Sequence, residues 1–161
     1  IFEGIWRKDR SNNKCAILLA YSYLALCDTD IGLEQIIDNV SRAKNLLNLV
    51  ISRFPQNIDA RLGRTHININ LSPQMGRPDD IILGDVEVYN DGYCSLSDQE
   101  KEREDLKSGY MVMQLAAAVV MDYRSDKEMA LEYFKNIDQV YLQADNLIKL
   151  YKKLEEKYGG K

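Results

Sequence analysis

The stretch from Ser41 to Gly63, SRAKNLLNLVISRFPQNIDARLG, constrains this chain more than any other. Ala43, Leu47 and Val50 fall on one face of a helix. Pro55 then stops that helix, because proline lacks the next hydrogen-bond donor and its ring clashes with the preceding turn. Asn57 is placed to cap whatever follows. The joint therefore reads as the end of one helix and the start of another. Only three prolines and nine glycines punctuate all 161 residues. A many-stranded β fold needs a turn signal every 8–12 residues or so, and the expectation is an all-α fold with long helices.

Ser11, Asn12 and Asn13 offer caps for a first helix over Cys15–Cys27, and a second is expected over roughly Ile31–Phe54. A third starts at Ile58, with Ala60, Leu62 and Gly63 as packing residues. Residues 71–96 hold three glycines and two prolines and read as one long acidic insertion loop. Within it Val86–Ser95 alternates around Asn90-Asp91-Gly92, the pattern of a small β-hairpin. Ser97 with Glu100, and Ser125 with Glu128, have capping-box spacing. The helix started by the first pair, over 98–123, includes Met111–Met121, apolar on nearly every side and hence central to the core. A further helix begins near Ala130, and residues 140–158 keep one apolar stripe with a charged back, as a terminal capping helix does.

Small and large residues recur at these joints. Leu19, Ala20 and Tyr23 in the first helix, Ala43, Leu47, Val50 and Pro55 at the joint, and Ala130, Phe134 and Ile137 near the end resemble degenerate copies of the tetratricopeptide repeat. The second helix departs from the family by about three turns too many for a 34-residue unit. The resemblance implies antiparallel helical hairpins, stacked as a short solenoid or an irregular bundle, in a single domain over 1–161. It implies a non-enzymatic scaffold or adaptor that binds a protein, a peptide or a neighbouring copy of itself, without a cofactor. Carrying the repeat register across places Tyr21, His66 and Val119 at equivalent positions of a concave surface, with Asn70 and Tyr123 nearby. Ten tyrosines against three phenylalanines suit a half-exposed groove of that kind.

Charge and residue inventory narrow the other classes. The net charge is −4, yet Asp79–Asp105 alone holds ten acidic and two basic residues. With a pI near 5.1 and no basic run interleaved with aromatics, nucleic-acid binding is not expected. His66 is the single histidine, so histidine-rich metal sites and most nucleophile–base pairs cannot be assembled. Asp79, Asp80, Asp85, Glu87, Asp91 and Asp98 could offer oxygen ligands to a hard cation, but with spacing that only partly imitates a calcium loop, and a solvated acidic loop is the simpler reading. An alternative function puts recognition in that acidic segment, in a helical accessory or envelope-associated subunit; a small enzyme is a third. Cys15, Cys27 and Cys94 are odd in number and lack metal-binding spacing, which leans toward the cytoplasm while localisation stays open. No apolar run is long enough to span a bilayer. The chain starts at Ile1 rather than methionine, which leaves room for a leader, an anchor or a further domain.

Overall fold

A computed structural model describes residues 1–160. The described residues are helical or irregular and contain no strand, so the expected all-α class holds. The chain divides into two compact units, Ile1–Ile67 and Asn68–Lys161.

In the first unit α1 (Phe2–Lys8), α2 (Asn13–Leu26) and α3 (Leu33–Arg53) precede α4 (Ile58–Ile69), whose last two residues belong to the second unit. Asn12 caps α2 by accepting from the Cys15 amide at 2.9 Å. Asn57 does the same for α4, accepting from Ala60 at 2.8 Å. The joint read from the sequence is therefore present, with Pro55 following the last turn of α3. Ala20 and Ala43 are fully buried where α2 and α3 pack together, and Ala16, Leu19, Leu47 and Val50 belong to the same core cluster with Ala60 of α4. Small side chains at such crossings let helices approach to the short end of the usual interaxial range of ~8–10 Å. Gly63 marks the tightest approach, since a Cβ there would stand 3.1 Å from both Leu47 methyls and 3.2 Å from the Tyr21 hydroxyl.

The second unit is organised around α7 (Glu104–Tyr123). Against it pack α5 (Asp79–Cys94), the short α6 (Asp98–Lys101), α8 (Lys127–Lys135) and α9 (Asp145–Tyr158). Val112–Ala118 and Val120 of α7 are all buried, as the unbroken apolar run required. On the opposite side of the pair, α5 contributes Ile82, Val86 and Tyr89 to the core, at i, i+4 and i+7.

Five expectations need correction. Residues 71–96 are not a long acidic loop, and Val86–Ser95 is not a hairpin: from Asp79 to Cys94 the chain is helical. The 82/86/89 period, which buries one face against α7, outweighs the low helix propensity of the internal glycines. What stays irregular is Ser95 and Leu96 and, before the helix, 70–78, a segment containing a 3-10 turn over Pro73–Met75 and Gly76 in the left-handed region at φ 76°. The helix expected over 98–123 is two helices. Ser97 and Glu100 do form a capping box, but α6 ends after four residues, and Arg103 re-enters an extended conformation to start α7. Ser125 is not a cap; it sits at φ 65° just past α7, and Asp126 caps α8 by accepting from Met129 at 3.1 Å. Finally, the last helix begins at Asp145 rather than 140, with a separate 3-10 turn over Gln139–Tyr141.

Candidate functional site

The surface of α5 turned away from its core stripe carries a second helical series, Asp80, Gly84, Glu87 and Asp91, spaced four, three and four. These residues form one wall of a depression of about 590 Å³ in the second unit. Leu83 and Met121 give it apolar surface, and Tyr133 of α8 forms the facing wall. Asn90 lines the site with its amide fixed from behind, where Gln114 of α7 donates to Asn90 Oδ1 at 3.0 Å. Gln114 is itself buried and accepts from Asn136 at 3.4 Å. This chain of amides ties α5, α7 and the end of α8 together behind the site.

Its field is negative. Asp80, Glu87 and Asp91 carry three carboxylates, and Arg124 reaches only one of them, donating to Asp80 at 2.7 Å. Burial, with Glu132 and Glu87 nearby, pushes the Tyr133 phenol above its ordinary pKa, so that hydroxyl stays a neutral donor and acceptor at neutral pH. The lining thus offers acceptors for cationic groups, a phenol and the apolar side chains of Leu83 and Met121. Asp79 instead pairs with Arg77 at 2.6 Å, and Asp85 is buried. Among the described residues no group of three or more His, Cys, Asp or Glu converges as metal ligands would.

The residues expected to face a groove lie elsewhere. Tyr21 is partly buried on α2, with its hydroxyl donating to the Asp59 carbonyl at 3.4 Å, and burial raises its pKa. His66 is partly buried on α4, where loss of solvent lowers the imidazole pKa. Asn70 is exposed beyond α4 and accepts from Asn146 at 2.6 Å. Val119 is partly buried on α7, and Tyr123 is exposed at its end beneath the Arg77 guanidinium, 5.3 Å from the ring centre. Tyr21 and His66 belong to the first unit and the other three to the second, and none lines the acidic depression. The site's own residues were partly visible: the sequence offered Asp80, Glu87 and Asp91 as acidic groups, but a loop has no faces. Read as a helix, their spacing selects one stripe, which excludes Asp79 and Asp85. Compared with family models, with curated proteins and with solved structures, the chain matches none.

Proposed function

We propose that this chain is a non-enzymatic binding module that captures a basic segment of another protein in the acidic groove of its second unit. One observation carries the reading: carboxylates at 80, 87 and 91 lie in one stripe beside Leu83 and Met121, and among the described residues a single cation, Arg124, touches them, at Asp80. Lysine and arginine side chains suit such a surface, because their aliphatic stems cover apolar atoms while the charged heads reach acceptors. Leu83 and Met121 would take the stems; Glu87 and Asp91 would take the heads. The volume falls in the range of ~300–1,000 Å³ usual for ligand sites, room for a few side chains of an extended or helical segment. The helices packed against one another within each unit are compatible with the wider reading of a tetratricopeptide-like scaffold.

Titration with a lysine- and arginine-rich peptide tests this. Capture should weaken as salt rises from about 50 mM to 500 mM, since the Debye length over which exposed charges interact shrinks from ~14 to ~4 Å in that range. The double substitution Glu87→Gln with Asp91→Asn should weaken it about tenfold or more while leaving the melting temperature in place. Undiminished capture by that variant would overturn the reading.

A further inference from the structure

The first unit presents the opposite electrostatic arrangement. Three arginines, Arg7 at the end of α1, Arg10 just after it and Arg42 on α3, line a cavity of about 240 Å³. Trp6 and Tyr23 line it as well, and each lies under a guanidinium: Arg10 stands 5.3 Å from the Trp6 ring centre and Arg42 stands 5.7 Å from that of Tyr23. A guanidinium with its face on an aromatic ring keeps its N–H edge available for an acceptor in its plane.

The counter-charges present are loosely held. Glu3 meets Arg7 and Asp38 meets Arg42, both at 2.8 Å, both one turn apart on an exposed helix surface. Such pairs contribute little and are readily exchanged for a stronger acceptor. The Arg10 guanidinium makes no hydrogen bond or ion pair among the described residues, while its own backbone is anchored by Arg53, which donates to the Arg10 carbonyl at 2.6 Å. The turn that presents it is likewise fixed: Asp9 accepts from both the amide and the hydroxyl of Ser11, at 2.9 and 2.6 Å, and Cys15 of α2 donates to the Phe2 carbonyl at 3.3 Å. One unpaired cation, two weakly paired ones and a rigid mount make an anion receptor. Because three guanidinium forks line the same small cavity, a doubly charged tetrahedral group fits it better than a single carboxylate.

We propose that this cavity binds a phosphate monoester, with Arg10 as its principal ligand and Arg7 and Arg42 completing the contact by releasing Glu3 and Asp38. The site is separate from the acidic groove and does not depend on it. Trp6 is the single tryptophan of the chain, so its fluorescence reports directly on the guanidinium that lies over it. The intact protein is titrated at constant ionic strength with inorganic phosphate, with O-phosphoserine, and with a phosphoseryl peptide beside its unphosphorylated form; succinate serves as the carboxylate control. Saturable change in Trp6 emission with the phosphate probes is expected, weakened about tenfold or more by Arg10→Gln and by Arg42→Gln, and unchanged in the Glu87→Gln/Asp91→Asn protein. Saturation by inorganic phosphate and O-phosphoserine at equal strength would assign the site to free phosphate compounds, whereas tighter binding of the phosphopeptide would assign it to a phosphorylated protein. Absence of saturation, equal binding of succinate, or undiminished binding by a folded Arg10→Gln protein would overturn the proposal.

Discussion

At the level of single residues, Ser125 shows how one backbone conformation sets a turn that side-chain chemistry alone misassigns. Its spacing to Glu128 imitates a capping box, yet its φ of 65° makes it the terminating residue of α7. The Asp126 amide donates to Met121 at 3.0 Å and the Ser125 amide to Asp122 at 3.1 Å, the paired bonds that close a helix through a left-handed residue. Any residue with a Cβ is strained there, by an amount of order 1 kcal/mol. Ser125→Gly should therefore stabilise the protein by about 0.5–1 kcal/mol in urea melts, even though glycine elsewhere in a helix costs as much. A loss of stability would mean that the serine hydroxyl, not the backbone, decides the turn. Thr65 makes the complementary point. It is fully buried and its hydroxyl has no hydrogen-bond partner among the described residues, a cost that helix periodicity does not reveal, since a threonine on an apolar face looks like a small core residue in sequence.

Among the elements, α5 and α9 divide what was legible from what was not. For α3 the sequence held every cue, an i, i+4, i+7 stripe and a proline stop, and its bounds emerge within two residues of those expected. In α5 the cues conflict. Gly84 and Gly92 within it and Pro73 and Pro78 before it punctuate like a loop, while Ile82, Val86 and Tyr89 keep a helical period interrupted by the buried Asp85. Tertiary packing on α7 resolves the conflict, and packing against a distant partner cannot be read locally. The docking of α9 is equally non-local. Lys157 Nζ donates to Asp122 of α7 at 2.5 Å and the Tyr158 hydroxyl donates at 2.8 Å. Burial raises the Asp122 pKa, but these two donors outweigh it and hold the carboxyl below its ordinary value. For Tyr158, burial and the Asp122 carboxylate together push the phenol up to about 12. The depressed carboxylate stabilises the fold above its unfolded pKa, and that contribution is lost as pH falls from about 4 through the folded value. The raised phenol stabilises below pH ~10 and loses its contribution as pH climbs toward 12. Asp122→Asn should thus cost about 1–2 kcal/mol at pH 7 and progressively less as the pH falls below about 4. A cost independent of pH would show that packing of α9, and not this carboxylate, sets its docking.

Across the whole molecule, charge and core are distributed unevenly in a way that composition averages away. Residues 1–67 carry nine basic and seven acidic groups, and residues 68–161 carry twelve basic and eighteen acidic. The acidic excess was visible in the sequence as a segment, but its meaning as a groove wall required the helix that α5 proved to be. Cores differ as well. That of the second unit surrounds one helix, α7, with α5, α8 and α9 all packed on it. In the first unit the seam relies on alanines at 16, 20, 43 and 60, which bury little area each, with Trp6, Leu19, Leu47 and Val50 supplying the larger surfaces. A domain of about 60 residues buries only ~60% of its unfolded surface and is marginal by itself, whereas a larger one gains steadily. The sequence reading expected one domain over 1–161, and separate production of 1–67 and 68–161 discriminates. The second fragment should keep its helical circular dichroism and melt cooperatively, because α5, α8 and α9, which pack on α7, stay with it. The first should be helical but melt broadly and at lower temperature. If 68–161 is unfolded alone while the intact chain melts in one transition, stability is shared along the whole chain and the single domain is the correct unit of folding.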